Sequence, residues 1–287
     1  MKYTVKESQN ILEALASLAP EASKTTHRSW IKEGRVLIDG NPAPLGSAIV
    51  GKGQTVSLST KSRFAKQRVR LIYEDPHLVI VDKPEGLLTV ATAFEKGETV
   101  HAFLKGHFKP GKVYVVHRLD QDTSGVMMFA RSEKMKEGLK DLLEKHEVDR
   151  IYYALVEGCP EPLEGTWESY QIEDKNYVVK NLTSTKPGKG EMMAGEAKKA
   201  ITHYKVVQRA KKYSLLEVRL DTGRKNQIRA HCQMAGIPVV GDKKYGARSN
   251  PLKRLGLHAS FLGFVNPVTG KKMQFSSPVP EVFKLNA

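Results

Sequence analysis

The sequence predicts an α+β fold in which a mostly antiparallel, mixed sheet is flanked by helices and preceded by a small N-terminal α/β domain. Two features favour it over a doubly wound parallel sheet: predicted strands outnumber predicted helices, and short turns join several neighbouring strands. The chain has 287 residues and 40% hydrophobic content, which suffices for one large and one small domain. It contains neither GxGxxG nor GxxxxGKS/T, so nothing indicates a nucleotide cofactor, and we expect no cofactor.

The N-terminal domain is predicted to span residues 1–60. Apolar residues at helical spacing indicate a first amphipathic helix, which ends before Pro20. Alternation and turn residues then indicate short strands. The predicted order is helix, helix, strand, strand, at residues 8–18, about 23–34, 35–38 and 54–58.

A basic linker is predicted at residues 61–70, which hold five Lys or Arg and no acidic residue. Residues 1–70 together hold 12 basic and 5 acidic residues, a net charge of +7 out of +15 for the whole chain. A charged run of this kind is usually a solvated tether. The main domain is therefore predicted to span residues 71–287.

The main domain is predicted to open with a hairpin and to continue with strands and two helices. Ser132 is a plausible N-cap for the first of these helices. Strands are predicted at 71–73, 78–81, 113–116, 126–130, 150–157, 200–207, 213–220, 259–265 and 271–275, and helices at about 132–146 and 224–235.

The charge of the chain suits a polyanionic partner. Lys and Arg total 46 against 31 Asp and Glu, as expected for a surface that binds phosphates, although a merely basic protein has the same composition.

Two cysteines without a CxxC or Cys/His cluster suggest neither a disulfide framework nor a zinc site, and we expect no metal. The start of the chain does not look like a signal peptide and no apolar run has membrane-spanning length, so we expect a cytoplasmic protein with no membrane partner.

The polar segment His117–Gly125, with the sequence HRLDQDTSG between two apolar strands, is the strongest sign of chemistry. It places Asp120 close to Arg118, although an aspartate in a turn is more often a cap than a catalyst. The segment matches, at every defined position, the catalytic signature HRLDxxTSG of the RluA-type pseudouridine synthases, which this chain resembles. Further segments resemble the other motifs of that family in the same order, at 74–87, 150–158, 220–231, 241–246 and 257–259.

The resemblance implies an isomerase that converts uridine in RNA to pseudouridine without a redox agent or a metal. One carboxylate can serve the reaction, by adding covalently or by stabilising charge and moving a proton at the sugar. The family pattern assigns that role to Asp120, the neighbouring arginine to Arg229, and a tyrosine against the target base to Tyr152. Periodicity alone would instead favour a surface position on a helix for Arg229 and a core position for Tyr152.

Four more positions are implied to bind the substrate. Extracting a uridine from a folded RNA costs a few kcal/mol, and the family pattern assigns Arg118 to the support of the flipped nucleotide; a simple phosphate contact is the alternative. His117 precedes it in the motif. Ile228 and Leu257 are implied to close the pocket by apolar contact, with core packing as the alternative.

The N-terminal segment resembles the alpha-L RNA-binding domain that occurs in several RNA-modifying enzymes. The likeness depends on the sequence KTTHRS at the start of the second helix and on GRVLIDG after it. It implies that basic side chains here face RNA phosphates, although each of them could also be part of a solvated helix face. The implied RNA-binding residues are Lys24, His27, Arg28, Lys32 and Arg35.

Two positions depart from the synthase pattern: Asn226 and Asn266 each replace a common histidine. Asparagine can still donate and accept hydrogen bonds, so the departure argues only against a titrating group there.

The expected partner is RNA, most simply large-subunit ribosomal RNA or an assembly intermediate of the ribosome, bound by a monomer. A tRNA pseudouridine synthase and a non-catalytic ribosome-assembly factor are the alternatives; no tight carboxylate cluster supports a two-metal nuclease.

Overall fold

The computed structural model describes residues 2–32, 35–43, 48–58, 69–91, 98–174, 177–182 and 196–285, without the side chains of residues 32, 41 and 42. The chain divides into two compact units. One comprises residues 1–68 with 87–104, and the other comprises 69–86 with 105–287. The division at residue 68 falls inside the predicted linker, whose residues 61–68 lie outside the described ranges. Residues 87–104 group with the first unit, a feature that the sequence did not indicate.

The first unit contains a four-stranded and a two-stranded sheet with two helices. The first helix is capped by Asn10 and Glu13, which exchange side-chain and backbone hydrogen bonds in a capping box. The core of the first unit contains the buried side chains of Ile11, Leu15 and Trp30. The elements are β1 (Lys2–Thr4), β2 (Gln9–Asn10), α1 (Ile11–Leu18), α2 (Lys24–Lys32), β3 (Val36–Ile38), β4 (Asn41–Pro42), β5 (Ile49–Val50) and β6 (Thr55–Leu58).

The remaining elements of the described chain are one large sheet, helices and two 3-10 turns, although residues 100–104 at the start of the first of these helices group with the first unit. The strands are β7 (Arg70–Glu74), β8 (Leu78–Lys83), β9 (Tyr114–Val115), β10 (Ser124–Ala130), β11 (Asp149–Glu157), β12 (Glu164–Glu173), β13 (Val179–Leu182), β14 (Lys198–Arg209), β15 (Tyr213–Leu220), β16 (Leu257–Val265) and β17 (Lys272–Ser276). The helices are α3 (Val100–His107), α4 (Glu133–Glu144) and α5 (Gln227–Met234), with 3-10 turns at Lys243–Tyr245 and Glu281–Phe283.

The sheet has the strand order β13-β12-β14-β15-β11-β16-β10-β8-β7, with β17 paired to β16 and β9 paired to β10. Its described pairs are antiparallel except β10 with β16. The predicted α+β class with a mostly antiparallel, mixed sheet is therefore confirmed. Among the elements from β7 onward, the sequence did not predict β12, β13 and α3. The structure confirms the predicted Ser132 as the N-cap of α4, where its side chain accepts from the Met135 backbone N–H.

The single parallel pair positions the HRLDQDTSG segment. The segment runs directly into β10, and β10 pairs with β16 at Ser124–His258 and Gly125–Ala259. Gly125 has φ +117°, and a Cβ atom there would lie 2.0 Å from the carbonyl oxygen of Ala259. Only glycine permits this approach, so the end of the segment is fixed against β16.

No helix in the described ranges is both long enough and apolar enough to cross a membrane.

Candidate active site

A small cavity of about 60 Å³ opens where the HRLDQDTSG segment, β11, β16 and the start of α5 meet. Its walls bring together six of the seven residues that the sequence predicts for catalysis and substrate binding. These six are Arg118, Asp120, Tyr152, Ile228, Arg229 and Leu257. Residues up to 139 positions apart thus line one site, and Leu119, Thr123, Leu220, Arg224, Asn226 and Gln227 complete its wall.

Asp120 and Arg229 form an ion pair in this cavity. Arg229 Nη1 donates to Asp120 Oδ2 at 3.2 Å. The Asp120 side chain is 28% exposed and that of Arg229 is 12% exposed, so the pair is only partly screened by water. A partly exposed carboxylate that pairs with a guanidinium is accessible to a group that enters the cavity.

Arg229 is held mainly by Asp242, which the sequence did not single out for a role. Arg229 Nε and Nη2 donate to the two Asp242 carboxylate oxygens at 2.5 and 2.9 Å, and the Asp242 side chain is 1% exposed. The guanidinium carbon also lies 4.9 Å from the ring centre of Tyr245. Burial alone would lower the pKa of Arg229, but the hydrogen bonds and charges of Asp242 and Asp120 raise it above its ordinary value. The bidentate contact fixes the plane of the guanidinium, and Nη1 is left to face Asp120.

Asn226 occupies the position where the resemblance would place a histidine. It has φ +52°, in the left-handed region that asparagine tolerates better than most residues, and it precedes the first residue of α5. Its Oδ1 accepts from Arg229 Nη1 at 2.9 Å, and its Nδ2 donates to the Tyr245 hydroxyl at 3.1 Å. Asn226 therefore links the Arg229 guanidinium to the Tyr245 hydroxyl without adding a titratable group.

Tyr152 lies on β11 at a register shift between Ile151 and Tyr152. The alternation of β11 places Tyr152 on the wall of the cavity and Tyr153 on the opposite face, where its hydroxyl donates to Glu217. Burial raises the pKa of Tyr152; the charge of Arg150 opposes this shift and that of Asp120 adds to it. Tyr152 is consequently a neutral phenol at pH 7.

Arg118 and His117 have different environments although they are adjacent. Arg118 is exposed and forms no hydrogen bond or ion pair with any side chain that the structure describes. His117 Nε2 accepts the backbone N–H of Met128 on β10 at 2.9 Å. Burial, aided by the charge of Arg150, lowers the pKa of His117 to about 3, so the ring is neutral. Its bond to β10 makes His117 an anchor of the loop, and its expected contact with substrate stays a prediction.

Lys83, at the end of β8, is a second residue whose role the sequence did not reveal. Its side chain is fully buried, and its Nζ donates to the carbonyl oxygens of Pro84 and Gln121 at 2.9 and 2.8 Å. Burial lowers the pKa of Lys83 to about 7, against the opposing charges of Asp122 and Asp120. The contact with Gln121 ties the residue after Asp120 to the opening hairpin.

The RNA-binding residues expected in the first unit differ in exposure. Lys24 and Arg28 are exposed on α2, one turn apart. His27 and Arg35 are only 2% and 4% exposed, which does not fit the prediction that they face RNA phosphates. His27 Nε2 lies 3.1 Å from the carbonyl oxygen of Ala19, and the Arg35 guanidinium lies 5.8 Å from the centre of the Trp30 ring. The side chain of Lys32 is outside the described part of the chain.

Comparisons with known proteins agree on one family. The model of the RNA pseudouridylate synthase family matches residues 77–234, more than half of the chain. The ribosomal large subunit pseudouridine synthase D of Xanthomonas campestris pv. campestris is 35% identical, over 93% of this chain and 84% of the relative. The uncharacterized RNA pseudouridine synthase YlyB of Bacillus subtilis is 31% identical, over 96% and 92% of the two chains.

A solved structure shows the same fold. Human RNA pseudouridylate synthase domain containing 4 superimposes with a TM-score of 0.60 at 24% identity, over 75% of this chain and 90% of the human chain. The family match covers the HRLDQDTSG segment, Tyr152 and Arg229, which the structure brings to one cavity. This chain belongs to the RNA pseudouridylate synthase family and is an RNA pseudouridine synthase.

Proposed function

We propose that this protein converts specific uridines of large-subunit ribosomal RNA to pseudouridine, with Asp120 as the catalytic group. The observation that supports this role best is the ion pair between Asp120 and Arg229 in a cavity that Tyr152 also lines. In the reaction the bond between uracil N1 and the sugar C1′ breaks, the base turns, and a bond from C5 to C1′ forms. The proton lost from C5 is balanced by the proton gained at N1, so no oxidant or reductant is consumed.

Asp120 must be ionised at the start, whether it adds to the nucleotide or stabilises positive charge at the sugar and then moves a proton. Arg229 orients the carboxylate, because its Nη1 donates a charged hydrogen bond to Asp120 Oδ2. Since Asp242 and Asn226 fix Arg229, the anion is oriented before substrate enters. Tyr152 is proposed to lie against the base as a neutral phenol that can assist proton transfer.

Arg118 is proposed to support the flipped state of the target nucleotide. It is exposed, free of carboxylate partners among the described residues, and lies beside Asp120 on the cavity wall. Ile228 and Leu257, each 4% exposed, are proposed to close the apolar side of the pocket around the base. Unstacking a uridine costs a few kcal/mol, which contacts of this kind offset.

The proposed substrate is ribosomal RNA because the relative from Xanthomonas campestris is named as a synthase of the ribosomal large subunit. An N-terminal RNA-binding domain with Lys24 and Arg28 exposed on α2 would add affinity for such a large RNA. The enzyme is proposed to act as a monomer, since the residues proposed for catalysis come from one chain, and in the cytoplasm, where an rRNA modifier meets its substrate.

The test combines a variant with a map of its product. Pseudouridine is mapped across cellular RNA from cells that carry the normal chain, no chain, Asp120→Asn, or the control Asp149→Asn, which changes an exposed aspartate at the start of β11. We expect sites in large-subunit rRNA to disappear without the chain and with Asp120→Asn, and to persist with Asp149→Asn. Sites lost only from tRNA would overturn the substrate, and sites retained by Asp120→Asn would overturn the role of Asp120.

A further inference from the structure

A larger groove of about 980 Å³ adjoins the small cavity. The two share six lining residues, which are Arg118, Leu119, Asp120, Tyr152, Leu220 and Arg224. The groove extends from these residues along the segment before Asp120, the end of α4 and the turn after β15. A nucleotide held at Asp120 would therefore have an adjacent nucleotide of the RNA strand within reach of this groove.

Arg150 lines the groove with a charge that no carboxylate of the described chain neutralises. Its Nη2 donates to the backbone oxygens of Leu220 and Asp221 at 3.4 and 3.1 Å, and its buried Nε has no hydrogen-bond partner. A Cβ atom at Gly223 would lie 2.5 Å from Arg150 Nη1, so glycine leaves room for the guanidinium. Backbone carbonyls orient the guanidinium, and its full positive charge is left for a ligand.

Arg224 is placed in the same way on the other side of that turn. Its Nε donates to the backbone oxygen of Lys199 at 3.0 Å, and it forms no ion pair with the described carboxylates. Two neighbouring cations of the same segment differ in this respect. Lys225 pairs with Glu173, and Arg229 pairs with Asp120 and Asp242. Arg224 therefore differs from Lys225 and Arg229, because its charge faces solvent.

We propose that Arg150 and Arg224 form a phosphate-binding site for the single-stranded RNA next to the target uridine. This inference depends on the proposed function, because it places the strand that carries the uridine. Guanidinium groups bind phosphate oxygens through paired hydrogen bonds, and arginine planes also stack on unpaired bases. The apolar side chains of Val115, Leu143 and Leu220 on the groove wall suit the sugars and bases of an unpaired strand.

The test measures equilibrium binding of a single-stranded RNA oligonucleotide by the full chain at several salt concentrations. The variants are Arg224→Gln and Arg150→Gln, and the control is Arg209→Gln, which removes an exposed charge at the end of β14 outside both cavities. We expect each groove variant to bind about tenfold more weakly, as for the loss of one charged hydrogen bond, and to lower the slope of log affinity against log salt by about 0.7. The control should change neither quantity by as much.

Slopes for Arg224→Gln and Arg150→Gln equal to that of the control would overturn the site. If Arg150→Gln lowers the melting temperature, Arg224→Gln decides alone, because its side chain is exposed and its loss leaves no buried group unpaired. Binding does not require turnover. Absence of pseudouridine in RNA treated with the normal chain would therefore overturn the proposed function while the slopes still report on the groove.

Discussion

The arginines of this protein fall into two groups that differ in what surrounds them. Arg229 is largely buried, and two carboxylates and an amide contact its guanidinium. Arg118 and Arg224, on the rim of the same cavity, are exposed and have no carboxylate partner in the described chain. The difference separates two tasks: a neutralised, fully oriented arginine can tune a catalytic group, whereas an unneutralised one can attract a polyanion.

Among the variants that test this difference between the arginines, we expect the largest effect on rate when the Asp242 charge is removed. In Asp242→Asn, Arg229 loses its bidentate partner, and a shift of about 1 Å in a positioning group costs about 100-fold in rate. We expect single-turnover pseudouridine formation at saturating RNA to slow by about 100-fold, with RNA affinity within about twofold of normal.

The control is Asp221→Asn, an exposed aspartate that pairs with His203 on the sheet surface. If Asp242→Asn weakened RNA binding and left the rate normal, Arg229 would belong with the rim arginines. Because a buried ion pair is broken, the free energy of unfolding should also fall, by about 3 kcal/mol.

A second prediction concerns His117, which anchors the HRLDQDTSG segment to β10. Its folded pKa, about 3, lies below the ordinary value of about 6.5, so the folded state binds fewer protons than the unfolded state between those pH values. The stability that the neutral ring contributes is complete above pH 6.5 and is lost as the pH falls toward 3, by up to about 1.4 kcal/mol per pH unit.

Urea unfolding at pH 4.5 and 6.5 measures this loss. His117→Asn should make the unfolding free energy less dependent on pH in that range, whereas the exposed His146→Asn should not. Burial also lowers the pKa of His231, to about 4, so part of the acid dependence should persist in both variants. An unchanged pH dependence in His117→Asn would show that the loop is not anchored through a neutral imidazole.

The smallest effect is expected from exposed charges of the first unit. The double variant Lys24→Gln with Arg28→Gln should weaken rRNA-fragment binding a few-fold and lower the salt slope by about 1.4 to 1.8, with the rate at saturating RNA unchanged. Lys6→Gln with Lys52→Gln removes two other exposed charges of the same unit and serves as the control. Equal slopes for both pairs would contradict an RNA contact by α2.

The sequence predicted the residues that line the cavity better than the residues that hold them in place. The motifs located Asp120, Tyr152 and Arg229, which line one cavity, because the family pattern places those residue types at those positions. Asp242 stood within a recognised motif without a role, since its partner lies 13 positions earlier across a turn. Nothing in local spacing indicates that two charged side chains share a buried contact.

Errors in the predicted elements have similar physical causes. Helix α5 begins at Gln227 rather than near residue 224, because Asn226 adopts a left-handed conformation that cannot continue a helix. Strand β12 was missed because Trp167 is the single large apolar residue of its first half, so the sequence shows no repeated apolar alternation there, although the burial does alternate. The sequence predicted that His27 and Arg35 lie at the surface, whereas both are buried and pack against Trp30.

The contact of Gly125 with Ala259 has a consequence for the choice of target. A backbone packed this closely fixes the end of the HRLDQDTSG segment, five residues after Asp120. If the segment keeps this position during the reaction, the RNA supplies the distortion, and its cost of unstacking depends on its own sequence and pairing. We then expect uridines in easily deformed RNA to be modified faster than uridines in stable helices.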